Sequence, residues 1–266
     1  VKPKKKVAGF SASASRSEGE GKGAERYLKL DALRGFAIVW MTIFHFCFDL
    51  NYFGYLNQNF YVDSFWTVQR ACIVSLFLFC AGCGQAVAYL RGLSWQRFFK
   101  RWREVAGGAV LVTIGSYIVY PNSFIYFGIL HGIAVMLLIL RLLAGRTFWL
   151  ALAGVALVSL YWVAPVVHEA NPQLQFLDGR LFNWIGFIGK KPITEDYVPL
   201  IPWLGVLFIG FVAGQWILKN RPQWFGGELK SNLRPLAVLG QWSLSYYLVH
   251  QPVLFGLVYL LKQVTG

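Results

Sequence analysis

The chain of 266 residues is 56% hydrophobic, 17% aromatic and only 14% charged, with a mean hydropathy of +0.49. A water-soluble globule could not bury that much apolar surface, so a soluble enzyme or binding domain is excluded. The formal charge of +13 does not point to nucleic acid, because the basic residues fall on alternate connections between apolar blocks. That placement orients a membrane protein, and no nucleic-acid partner is expected.

Residues 1–25 are basic and then rich in Ser, Gly and Ala, with too little apolar content to offset the entropy of ordering. A disordered basic cytoplasmic tail is expected there, not a cleavable leader, since the first apolar run begins only near Leu33. Residues 26–266 are expected to form one membrane domain. Seven spans are predicted: Leu33 to Phe53, Phe65 to Leu90, Val105 to Tyr120, Phe124 to Leu143, Phe148 to Val166, Leu200 to Leu218 and Leu236 to Leu261. Lipid cannot satisfy free backbone groups, so each must be helical. The expected fold class is an all-α polytopic membrane bundle of about seven transmembrane helices.

Of the 25 Lys and Arg, 20 lie on the connections that share a side with the N-terminus, which predicts a cytoplasmic N-terminus and an outer C-terminus. On the longest outer connection, Phe176 to Ile188 is too short to cross the bilayer and too apolar for plain solvent. An interfacial or re-entrant segment is expected.

Ionisable side chains in lipid are costly, so His45, Asp49, Arg70, His131 and His250 are functional candidates. Counting rise per residue from the span ends puts them about 13, 7, 9, 12 and 10 Å below the outer face. A common layer predicts one water-accessible pocket. His45 and Asp49, four apart, share a helix face, where the carboxylate could orient the imidazole. Arg34 precedes His45 by eleven residues, close to three full turns, so the three form a stripe that reads as a polar route from the cytosolic rim. On the plainer reading Arg34 belongs to the positive-inside cluster and His45 is an interhelical hydrogen-bonder.

Arg70 is expected to neutralise Asp49 or to anchor a substrate, since guanidinium does not give up its proton. The hydroxyls of Tyr246 and Tyr247 could face the same cavity, with aromatic packing as the alternative. Cys80 and Cys83 form a CxxC without a second pair, so no metal is expected; small-residue packing around Gly82 and Gly84 accounts for that stretch. Arg91, Arg97, Lys100, Arg101 and Arg103, interleaved with Trp95 and Trp102, suit anionic headgroups or, alternatively, a nucleotide-containing donor.

Four ordered motifs carry a resemblance. They are Leu30-Asp31-Ala32-Leu33-Arg34-Gly35 followed by His45; Phe127-Gly128-Ile129-Leu130-His131; Asp196 to Trp203; and Gly240 to Pro252. The chain resembles the catalytic domain of the heparan-alpha-glucosaminide N-acetyltransferase family and its bacterial relatives. The Arg34-x10-His45 spacing also resembles the first helix of the acyltransferase-3 superfamily. The resemblance implies transfer of acetyl from cytosolic acetyl-CoA to an amino sugar or cell-envelope glycan, in the bacterial cytoplasmic (inner) membrane.

On that reading His45, supported by Asp49, carries the general-base or acetyl-accepting role, and Arg34 helps hold CoA, with Arg97, Lys100, Arg101 and Arg103 on the same rim. Arg70, His131, Asp196, Tyr247, His250 and Gln251 line the acceptor side. The loop from Asn51 to Asp63 has no histidine, where the family's own pattern would supply one, which leaves His45 as the candidate. The oligomeric state is left open, with a homodimer as the one assembly considered. Two rival expectations stand: a transporter or exporter using the titratable layer as a proton relay, and a non-catalytic subunit with a structural polar network.

Overall fold

The computed structural model describes residues 26–265; the basic tail expected over residues 1–25 lies outside them. Every regular element is helical. In chain order they are α1 (Leu28–Tyr52), α2 (Ser64–Leu90), α3 (Trp95–Val119), α4 (Ile129–Leu143), α5 (Thr147–Ala170), α6 (Leu200–Asn220), α7 (Arg234–Gln241) and α8 (Ser243–Thr265). Two short 3-10 turns, Pro172–Asp178 and Asn183–Ile185, occupy the long connection before α6. The chain is thus an all-α membrane helix bundle, and α1, α2, α5, α6 and α8 are long and apolar enough to cross a bilayer.

The helices pack through small residues, because without a hydrophobic drive in lipid, close backbone approach supplies the attraction. At Gly82 a Cβ would lie 2.3 Å from the Leu207 carbonyl oxygen, and at Gly210 2.4 Å from that of Phe79, which seats α2 against α6. Gly154 and Gly205 seat α5 on α6 in the same way. A Cβ at Gly35 would lie 1.9 Å from the Leu236 carbonyl and one at Gly240 1.8 Å from that of Asp31, so α1 and α7 cross in direct backbone contact. Outward, α5 exposes Phe148, Trp149, Tyr161 and Trp162, as a lipid-facing helix does.

The connections sort onto two ends. At one, the Tyr61 hydroxyl donates to Glu195 (3.0 Å) and the Ser123 hydroxyl to the same carboxylate (2.6 Å). At the other, Lys29 donates to the Gln223 carbonyl (2.9 Å) and Thr147 to Gln215 (2.8 Å). Successive long helices therefore run in opposite directions.

Two predicted spans change shape. The fourth was expected from Phe124, but α4 begins at Ile129 and its 15 residues reach about 22 Å, short of a bilayer core of about 30 Å. The missing depth is taken up by extended chain: Val198 N–H donates to the Phe127 carbonyl (3.1 Å) and Glu195 N–H to that of Ser123 (2.9 Å). Residues 123–128 bond a segment some 70 residues away instead of forming a first helical turn. The seventh span, expected from Leu236, is interrupted at Trp242, which separates α7 from α8. With Gly35 against Leu236 and Gly240 against Asp31, α7 lies across α1, and the crossing chain begins at Ser243.

Candidate active site

The side chains of α1 and α8 that meet in the bundle are polar and incompletely bonded. The rings of His45 and His250 lie 5.2 Å apart between centroids, inclined by 64°. One turn after His45 on α1, Asp49 Oδ1 accepts at 2.8 Å from the amide of Gln251, the residue next to His250 on α8. Asp49 is fully buried, yet its Oδ2, the Gln251 Oε1 and the His250 Nε2 have no hydrogen-bond partner among the described residues. Such orphans cost free energy in an apolar interior, and their clustering is the mark of a site that expects a ligand.

Local geometry fixes the tautomer of His250. Its Nδ1 lies 2.7 Å from the Tyr247 carbonyl oxygen, which can only accept, so Nδ1 carries the proton and donates. A neutral ring then has a bare lone pair at Nε2. Tyr246 stacks on the same imidazole, centroids 5.8 Å apart and planes within 12°, and its hydroxyl shares a 2.9 Å hydrogen bond with Thr42 of α1. Pro252, two residues after His250 inside α8, lacks the amide that would bond the Leu248 carbonyl.

The expected partnerships of Asp49 are corrected by this arrangement. Asp49 pairs with Gln251 of α8, not with His45 four residues back. The ion pairs among the described residues are Arg26–Asp31, Arg34–Asp31 and His168–Asp178, so Arg70 does not neutralise Asp49 either. Arg70 instead belongs to the end of the bundle where Tyr61 meets Glu195, and its charge acts there on Tyr61, Lys191 and Asp196.

His131 and Asp196 form a second polar group, at the start of α4. Asp196 Oδ2 accepts from Ile129 N–H at 2.8 Å and so caps the helix from the far connection. Gly128 permits this: a Cβ there would sit 2.4 Å from that oxygen. His131 Nδ1 accepts from Gly128 N–H (3.3 Å), its Nε2 meets Thr113 Oγ1 (3.0 Å), and Thr113 donates to the Ile125 carbonyl (2.8 Å). Both ring nitrogens are occupied. The expected single layer is therefore two groups, bridged by Tyr247, whose ring lies 5.6 Å from that of His250 and which feels the charge of Asp196.

The expected polar stripe from Arg34 to His45 is also corrected. Arg34 is held by Asp31 (2.7 Å) and reaches the Cys80 carbonyl (3.5 Å), with Gly84 leaving room for its guanidinium. Between it and His45, Ile38 and Met41 are buried, so packed apolar side chains fill the route.

A family model for the catalytic region of heparan-alpha-glucosaminide N-acetyltransferase matches residues 26–252. The chain belongs to this family. No curated protein and no solved structure matches it. Membership makes the protein a transmembrane acetyltransferase, and the match runs from the first residues of α1 through the His250-Gln251-Pro252 end of the polar cluster.

In this acetyltransferase Arg97, Lys100, Arg101 and Arg103 all lie exposed on the first turns of α3, which Ser94 caps through the Arg97 amide (3.4 Å). Among the described residues Arg34 bonds Asp31 and the Cys80 carbonyl and none of these four. At the opposite end, burial, together with the Glu195 carboxylate that it bonds, pushes the Tyr61 hydroxyl up to about 12. Burial likewise raises Asp196, against the Ile129 amide and the nearby Arg70 and Lys191. Burial and the Arg70 charge lower Lys191, against Asp196 and Glu195. The residues at this end were legible in the sequence only in part: Tyr61 and Glu195 carry no motif, and the hydrogen bonds that meet at Glu195 single them out.

Proposed function

We propose that the protein transfers the acetyl group of acetyl-CoA to the amine of an amino sugar or cell-envelope glycan, with the polar group between α1 and α8 as the reacting centre. One observation carries the reading: a buried imidazole, His250, whose tautomer leaves Nε2 free, set against His45 beside the under-bonded Asp49 and Gln251 oxygens.

The chemistry follows from those atoms. A neutral acceptor amine attacks the thioester carbonyl carbon, a C–N bond forms, and the amine proton passes to an imidazole nitrogen. The C–S bond then breaks, and the thiolate leaves with that proton as CoA thiol. His250 suits the base role better than His45, because its Nδ1–H remains anchored on a carbonyl throughout. His45 then faces the reacting group across the same space. Asp49 Oδ2 and Gln251 Oε1 accept the donors that sugar hydroxyls and amines bring. Tyr247 lies beside His250, Arg70 and Asp196 are assigned to the acceptor side, and His131 supports the α4 start.

CoA phosphates suit the exposed Arg97, Lys100, Arg101 and Arg103 on the cytosolic rim, with Arg34 behind them. The reading assigns the protein to the bacterial cytoplasmic membrane. A thioester needs little activation, so much of the rate comes from positioning.

Purified protein incubated with radiolabelled acetyl-CoA and a panel of amino sugars and glycans tests this. Label should move to an amine-bearing acceptor in the wild type and not in His250→Gln. Equal transfer by both would end the base assignment. No transfer to any acceptor, with substrate-driven proton flux in vesicles, would instead identify a transporter.

A further inference from the structure

A cavity of about 300 Å³ lies where α2 ends, α3 begins and α4 ends, between Tyr89, Gly92, Trp95, Arg141 and Gly145. It is at the end of the bundle opposite the Tyr61–Glu195 mouth, and the proposed acetyl transfer does not use it. Arg141 dominates its chemistry. The guanidinium donates to the Leu93 carbonyl and lies over the Trp95 ring, 5.1 Å from its centroid, and the Phe98 ring at 5.7 Å.

No carboxylate pairs with Arg141 among the described residues, where the ion pairs are those of Asp31 and Asp178. A half-buried cation with one donor engaged has further N–H groups to offer. The Tyr89 hydroxyl is a second donor: it makes no hydrogen bond among the described residues, and it lies 3.7 Å from where a Cβ of Gly145 would be. A cation and a hydroxyl donor thus line one small space that the glycines keep open.

The rim is apolar. Leu90, Trp95 and Leu142 are large, exposed side chains at the ends of membrane helices, the level where aromatic residues meet headgroups. We propose that this cavity seats the phosphate of an anionic glycerophospholipid. Phosphate oxygens accept from Arg141 and the Tyr89 hydroxyl, and the acyl chains leave over Leu90 and Leu142 into the bilayer. The phosphates of a soluble nucleotide offer the same chemistry, but they would leave the apolar rim uncovered.

The test is a titration of the delipidated full chain in detergent with phosphatidylglycerol, phosphatidylcholine and CoA in separate arms, read by native mass spectrometry and thermal shift. One phosphatidylglycerol should bind tightly and raise the melting temperature, and phosphatidylcholine should bind more weakly. Arg141→Gln should weaken phosphatidylglycerol binding about tenfold or more and Tyr89→Phe a few-fold, the usual yields of a charge-assisted and a neutral hydrogen bond. Gly145→Leu, which keeps Arg141 and fills the cavity, should block binding, and it carries the test if Arg141→Gln does not fold. Unchanged affinity in Gly145→Leu, equal binding of the two lipids, or one-for-one displacement of phosphatidylglycerol by CoA would overturn the proposal.

Discussion

His131 and His250 are both histidines of membrane helices in the same half of the bundle, yet their surroundings differ in kind. His131 receives a backbone N–H on one nitrogen and meets a threonine hydroxyl with the other, and that threonine passes its own proton to a carbonyl. His250 spends one nitrogen on a carbonyl and leaves the other bare and buried. The acids divide the same way: Asp196 caps α4, while Asp49 keeps an oxygen without a donor. Saturated hydrogen bonding fits a structural polar group, while the unpartnered atoms that cluster at His250, Asp49 and Gln251 are what the proposed function uses, so burial or depth alone does not sort the two.

The largest expected effect tests the unsaturated group directly. His250→Gln should lower kcat by about 10²- to 10⁴-fold, the usual contribution of a positioned general base, with little change in melting temperature. His131→Gln, assayed beside it, should lower stability while activity per folded molecule stays within a few-fold. Reversal of that pattern would break the comparison.

Next in size is Thr113→Val. It strips the acceptor from His131 and the donor from the Ile125 carbonyl, at a cost of about 1–3 kcal/mol for buried groups left unsatisfied. Denaturation in detergent should show that loss with the turnover of the remaining folded protein unchanged. Asp49→Asn should do the opposite. The fully buried carboxylate has no cationic partner among the described residues, so the neutral isostere should leave stability unchanged or raise it by about 1 kcal/mol while activity falls, the trade-off of a strained site.

How much of this could be read from the sequence depends on whether an interaction is local. The all-helical character, the spans over α1, α2, α5 and α6 and the closeness of His45 to His250 follow from hydrophobic length and rise per residue, and the structure has them. The late start of α4 was not readable, because residues 123–128 surrender their helical bonds to residues 194–198, far along the chain. Gln251 as the partner of Asp49 required the rotation of α8 about its axis, which a broken seventh span conceals. Depth counting likewise assigned His131 to one layer with His250 and could not see Thr113, on a different helix, occupying its ring.

The smallest effect sharpens the comparison on the saturated side, at Asp196. Its carboxylate supplies the first-turn acceptor of α4, so Asp196→Ala should cost about 1 kcal/mol, the usual value of a lost helix cap. Asp196→Asn keeps an oxygen in place and should cost little. The pair also separates a cap from a charge. Burial raises the Asp196 carboxyl above its ordinary value of 3.8, so the folded state holds its proton more tightly than the unfolded chain does. Its contribution to stability is then fully present below the unfolded value and is lost as pH rises through the folded one. Melting followed from acid pH upward should show that decline in the wild type and not in Asp196→Asn. A decline of equal size in both would assign it to another group and leave Asp196 acting through its oxygen alone.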